Sequence, residues 1–214
     1  MKILPLVATL AWTSAALAGE PVIWKLDQTA RVGGHATEVW GAPRVVNEPA
    51  GASVWFNGSS DGLFLPVNPL ARSAPFTIEV LFYPEEGGLP AQRFFHLQDD
   101  QSWRVMLETR LDGKGGWWLD TFLGATGVSQ PLIDPTRVHP TNRWCWVALR
   151  FDGRRMTSFV NGVQELEREA TFGPMVEGKL SLGVRQNKVH WFKGGIREVR
   201  WHRAALKAEE LQKL

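Results

Sequence analysis

The sequence predicts an all-β fold, a sandwich or a barrel, on three observations. Short strand-like runs recur along almost its whole length, Gly, Pro and Asx residues punctuate them, and only the closing stretch "AALKAEELQKL" has helical character. The 214 residues are 44% hydrophobic and 21% charged, which suits one ordinary globular domain and excludes a disordered chain. A formal charge of +2 leaves no nucleic-acid footprint.

The opening segment "MKILPLVATLAWTSAALAGE" is set apart from that fold. Lys2, the apolar stretch Ile3 to Leu17 and the small residues Ala16 and Ala18 read as a cleavable secretory signal covering residues 1–18, with the domain occupying 19–214. A membrane anchor is the competing reading. The stretch is short for a span, and Gly19, Glu20 and Pro21 end it with no stop-transfer pattern, so no span is expected after cleavage. The expected location is therefore secreted or periplasmic. Without Lys2 the balance is 23 basic to 22 acidic residues, so a charged partner must be recognised by a local patch.

The strand-like runs follow in order: "VIWKLD", "SVWFNG", "LFLPV", "FTIEVLFY", "RFFHLQ", "WRVMLETRL", "WWLDTFL", "WCWVALRF", "MTSFVNG", "KLSLGV" and "IREVRW". Each is rich in β-branched or aromatic residues and bounded by turn formers. "FNGSSDG" is a turn, although Asn57-Gly58-Ser59 is formally a glycosylation sequon. Cys145 is the only cysteine, so no intramolecular disulfide forms even in an oxidising compartment. Its place inside "RWCWVALRF" predicts a buried, inert thiol.

Two hairpins set register. Asp152-Gly153 as a two-residue turn puts Phe151 opposite Arg154, Leu149 opposite Met156, Val147 opposite Ser158 and Cys145 opposite Val160. The other face of that hairpin carries Trp146 and Phe159, so the sequence leaves open which face is core. With "DGKGG" as a loop, Leu111 opposes Trp117, Thr109 opposes Leu119, Leu107 opposes Thr121 and Val105 opposes Leu123. That face is consistently apolar, and a one-residue slip would place Arg110 and Glu108 in it. Leu97 opposite Val105 and Phe95 opposite Leu107 extend it to a third strand.

The reverse side then carries Phe94, His96 and Gln98, next Arg104, Met106, Glu108 and Arg110, and finally Trp118, Asp120 and Phe122. A solvated exterior would be dominated by Lys, Thr and Ser. This one mixes aromatics with arginines, carboxylates, an amide and a histidine.

The runs "VIWKLD", "SVWFNGSSDGLFLP", "FTIEVLFYP", "RWCWVALRFDGRRMTSFVNG" and "KLSLGV...FKGGIREVRWHRAAL" resemble, in this order, the signatures of laminin-G-like domains of the concanavalin A-like lectin/glucanase superfamily. The resemblance extends from Val22 to Leu211. It implies a two-sheet antiparallel jelly-roll sandwich, here with a short C-terminal helix, and sugar binding on the concave sheet face or its rim. Fold alone does not settle function, because adhesion modules and enzymes share it. Many relatives carry Asp-Glu in the closing strand where this chain has Arg197-Glu198, so an acidic calcium ligand is missing there; no cofactor is expected, and calcium is left open without support from the closing strand. Asp61 and Asn57 are turn residues before they are metal ligands.

Three readings of the candidate face follow. As a binding site, Trp118 offers a ring for stacking on a pyranose, while His96, Gln98, Arg104, Glu108, Arg110 and Asp120 offer hydrogen bonds and suit an acidic sugar. The expected partner is a carbohydrate, with oligomeric state left open. As an enzyme, Glu108 and Asp120 face each other with β-carbons about 5 Å apart, the spacing of a retaining glycosidase pair. The Glu-x-Asp-x-x-Glu strand motif of laminarinase-type members is missing, however. "FFHLQ", "LETR" and "HWFKGG" are loosely similar to alginate-lyase-type sites, with His96 or His190 as base, since Trp191 stands in place of the tyrosine and Tyr83 lies elsewhere. Catalytic candidates are thus His96, Glu108 and Asp120. A protein-adhesion module is the third reading, marked by an exposed apolar patch outside the groove. The segments "EEGGLPAQ" and "GATGVSQPLIDPTRVHPTN" are left to cover the face or to wall it.

Overall fold

The computed structural model describes residues 20–214. The expected signal peptide lies outside the described residues. Two antiparallel sheets, each of eight strands, face one another across one hydrophobic core. The back sheet runs, strand by strand, Val163–Glu169, Arg155–Val160, Cys145–Phe151, Phe76–Pro84, Lys193–His202, Gly51–Asn57 and Arg44–Glu48. Val22–Lys25 pairs with Lys193–His202 beyond the end of Gly51–Asn57. The front sheet runs Val128–Ile133, Gly116–Ala125, Arg104–Leu111, Ala91–Asp99, Gly178–Leu182, Gly62–Leu65 and Glu38–Trp40, with His139–Pro140 on the free end of Gly116–Ala125. The helical tail contains a single 3-10 turn, Ala208–Glu210.

Alternation decides the inner faces. Val105, Leu107, Leu119 and Leu123 enter the core with Leu97 and Phe95, in the register that the apolar pattern selects: Leu111 faces Trp117 and Val105 faces both Leu123 and Leu97. Trp117 is fully buried, edge-on to Phe82 at 5.1 Å, and its Nε1 donates to the Pro140 carbonyl at 3.2 Å.

Two details depart from the sequence reading. The hairpin after Phe151 is shifted by two: Phe151 faces Met156, Leu149 faces Ser158 and Val147 faces Val160. Asp152 sits before the turn because its Oδ1 accepts the amides of Arg154 and Arg155 at 2.8 and 2.7 Å, leaving Gly153, at φ +101°, as the first central residue. A shift of two keeps every side chain on its face. Phe94, expected outside, is in the core, stacked on Phe82 at 4.4 Å. A β-bulge between Leu107 and Glu108 lets Phe94 and Phe95 both point inward and brings Arg93 beside Glu108 on the outer face.

The ambiguous Cys145 hairpin has two apolar faces because both are covered. Cys145, Val147, Leu149, Phe151 and Met156 belong to the core between the sheets. Ala148 and Phe159 lie on the other face, roofed by Leu206 and Leu211 of the tail. The tail is fastened there by Gln212, whose amide donates to Glu79 at 2.6 Å, and by Leu206, whose amide donates to Thr77 at 3.0 Å. Burial pushes the Cys145 thiol up to about 12, so it stays protonated and unreactive.

Candidate functional site

The outer face of the front sheet carries one cross-strand row: Phe122 beside Met106, then His96, Ser181, Phe64 and Glu38. Its middle is roofed by the 183–192 connection. The Gln186 amide donates to His96 Nδ1 at 3.0 Å, and Ser181 Oγ donates to the Val184 carbonyl at 2.7 Å. Gly62 permits this close approach, since a Cβ there would lie 2.5 Å from Val184 Cγ1. The segment 124–142 does not form the roof. Its strand Val128–Ile133 extends the sheet at the edge, and Ser129 and Pro131 wall the cavity beside it.

That cavity, of about 260 Å³, brings together Arg93, Arg104, Arg110 and Arg185 over Glu108 and Asp120, with Met106 and Phe122 as apolar floor. Glu108 and Asp120 are cross-strand partners, as the register predicts. Arg93 reaches Glu108 Oε2 at 3.0 Å, and the Arg110 guanidinium bridges Glu108 at 3.1 Å and Asp120 at 2.6 Å. Both carboxylates are buried, which raises their affinity for a proton. Burial, helped by the neighbouring Asp120 charge and opposed by Arg93 and Arg110, pushes Glu108 up to about 7. Burial likewise raises Asp120, against the pull of Arg110. Asp120 Oδ1 has no partner among the described residues.

Arg104 and Arg185 make no ion pair among the described residues. Arg104 packs over the Phe122 ring at 5.5 Å, its Nε is buried and unpartnered, and its pKa is lowered first by burial and then by the Arg185 charge. The two like charges line one cavity, and neither is paired with Glu108 or Asp120.

The other expected site residues divide. Gln98 lies between Arg104 and Lys179 as cross-strand neighbour of both, half-buried. Trp118 is the partner of Arg110, half-buried, and outside the cavity lining; its Nε1 is buried without an acceptor. His96 is buried beneath Gln186. Desolvation, then the charges of Arg185, Arg104 and Arg93, lowers it to about 3, so it is neutral under ordinary conditions. His190 lies on the roofing segment, its pKa lowered by burial and by Arg93. Tyr83 packs against Trp55 and Trp144 on the back sheet, remote from this face. Arg93 and Arg185 were not anticipated. The doubled Phe of "RFFH" is the only sequence sign of the bulge that turns Arg93 outward.

On the far side of the roof lies a larger cavity of about 710 Å³, bounded by Phe64, Glu38, Lys179, Asp100 and Lys188. Gln186 lines this cavity and Arg185 the arginine cavity. At the turn 57–61, Asp61 accepts the amides of Ala42 and Asn57 at 2.8 and 3.0 Å, and Asn57 Oδ1 accepts those of Ser59 and Ser60. Both serve the turn, and no group of three or more acidic, His or Cys residues suited to a metal occurs among the described residues.

A family model described as the concanavalin A-like lectin/glucanases superfamily matches residues 57–212. No curated protein sequence matches the chain. Among solved structures, domain 4 of AbnA, an extracellular GH43 arabinanase from Geobacillus stearothermophilus in complex with arabinotriose, superimposes with a TM-score of 0.62. It is 20% identical over 92% of this chain and 88% of that one. The botulinum neurotoxin serotype D binding domain matches with a TM-score of 0.62 at 14% identity, over 88% of this chain and 49% of its own. A heptameric SAP-like pentraxin from Limulus polyphemus matches with a TM-score of 0.58 at 17% identity, over 74% and 78%. At these identities the likeness is one of fold.

Proposed function

The chain belongs to the concanavalin A-like lectin/glucanase superfamily, and from that premise we propose that it is a secreted or periplasmic module that binds an acidic carbohydrate in the arginine cavity. One observation carries this reading. Four guanidinium groups converge on the cavity, only two carboxylates oppose them, and both are engaged beneath Arg93 and Arg110. Arg104 and Arg185 are left to grip a ligand carboxylate or sulfate, which guanidinium geometry matches in bidentate fashion. Met106 and Phe122 supply apolar surface for the sugar ring. The reading requires no metal. A fold neighbour holding arabinotriose supports sugar as the ligand class. The resemblance of residues 1–18 to a secretory signal supports an extracellular ligand.

Calorimetry with oligogalacturonate tests it. Binding is expected to weaken with salt and to fall at least tenfold in Arg104→Ala and in Arg185→Ala. Equal binding by wild type and both variants sinks the proposal. Export is checked separately: the secreted product is expected to begin at Gly19.

A catalytic use of the same cavity has one supporting observation, the carboxyl of Glu108 held near 7, as a general acid requires. Its arginine ties favour a structural role. Release of reducing ends from a uronic-acid polymer, lost in Glu108→Gln, would favour the enzyme.

A further inference from the structure

We infer that the cavity beyond Gln186 is a second sugar site, taking uncharged units of the same chain whose charged unit sits in the arginine cavity. The ligand is then a heteroglycan with acidic and neutral sugars in sequence. This rests on the acidic-sugar reading of the arginine cavity.

The two cavities share one surface. The row Met106, His96, Ser181, Phe64 runs beneath both, and only the Val184–Gln186 roof separates them. The strand bearing Met106 and the strand bearing Phe64 are three steps apart, about 14 Å at the usual strand spacing. A ligand occupying both must be an extended chain. Arg185 and Gln186, consecutive in one connection, would touch it from either side of the crossing.

Their charges differ. Four arginines outnumber two carboxylates in the first cavity, whereas Lys179 and Lys188 balance Glu38 and Asp100 in the second. Equal numbers of the two charges give this site no net attraction for an anion. It does have an aromatic lining residue: half-buried Phe64, which is braced from outside the cavity by Trp40, ring centroids 6.4 Å apart, while Lys188 Nζ caps the Trp40 ring 3.0 Å from its centroid. Glu38, which accepts the Trp40 indole N–H, and Gln186 line the cavity with Phe64 and supply polar groups beside its ring. Aromatic surface with flanking hydrogen-bonding groups suits a pyranose. The volume of about 710 Å³ is in the range of sites for ligands larger than one sugar.

The test compares three hexasaccharides by calorimetry: alternating glucuronate and N-acetylglucosamine, oligogalacturonate, and xylohexaose. The alternating hexasaccharide is expected to bind at least tenfold more tightly than its own disaccharide. Phe64→Ala is expected to remove that gain while leaving disaccharide binding unchanged, and Arg104→Ala to weaken both. Ala36→Trp, at an exposed position on the cavity wall, is expected to give the same loss by occlusion without opening the core. The inference is overturned, with the acidic-sugar reading intact, if both cavity variants bind the hexasaccharide like wild type while Arg104→Ala does not. If no acidic probe binds, both fall.

Discussion

The backbone N–H of Gln186 donates to Nδ1 of His96 at 3.0 Å, which fixes the imidazole as the neutral tautomer with its proton on Nε2. Protonating Nδ1 would break the bond and bury a cation among arginines, so His96 titrates only at about 3. The folded pKa lies below the ordinary value of 6.5, so the stability His96 contributes is complete above pH 6.5 and declines as pH falls toward 3. Denaturant midpoints at pH 7 and pH 4 are expected to differ less in His96→Gln than in wild type. Nitrogen NMR is expected to show an uncharged ring down to pH 4.

Glu108 acts in the opposite sense. Its folded pKa of about 7 exceeds the ordinary 4.5, so the folded state prefers the proton, and rising pH from 4.5 to 7 removes stability. Protonation also deletes a negative charge from the arginine cavity. Oligogalacturonate is therefore expected to bind more tightly at pH 6 than at pH 8, and Glu108→Gln to flatten that profile in calorimetry.

Phe94 should behave as a core residue. Phe94→Ala removes its stacking on Phe82 and its contact with Phe192 at 5.7 Å, and is expected to cost about 3–5 kcal/mol in urea unfolding. A cost below ~1 kcal/mol would return Phe94 to the surface.

Gly62→Ala places a Cβ 2.5 Å from Val184 Cγ1. The expected result is overpacking of about 1–3 kcal/mol and faster amide exchange across residues 183–192, as the roof lifts from His96.

Trp118 flanks the arginine cavity without lining it. Trp118→Ala is expected to weaken oligogalacturonate binding less than Arg104→Ala does. Trp118→Phe, which deletes a buried N–H with no acceptor, is expected to leave stability unchanged or slightly higher in thermal unfolding.

Legibility followed repetition. The Leu111–Trp117 register was readable because slipping it would bury Arg110 and Glu108, and the same alternation put both carboxylates, Arg104 and Arg110 on one surface. Phe94 was misplaced because strict alternation cannot register a bulge: in "RFFH" either Phe satisfies the pattern, and the partner strand decides. The 152–153 turn was shifted because Asp152 uses its carboxylate for the turn amides, a choice the dipeptide does not display. Arg185 was invisible for a different reason. It lies on a connection whose path over the sheet is set by tertiary contacts at Gly62, Ser181 and His96, and no local pattern encodes them.

The pairing of Val22–Lys25 with Lys193–His202 has a consequence in time. Trp24 packs against Trp201 at 5.1 Å, so the strand Val22–Lys25 has no partner until Lys193–His202 has been made. At about 5–20 residues per second of synthesis, that strand waits on the order of ten seconds for its neighbour. Domains dominated by such distant pairings also fold slowly, in about milliseconds to seconds. The strand Val22–Lys25 therefore stays unpaired while most of the domain is synthesised.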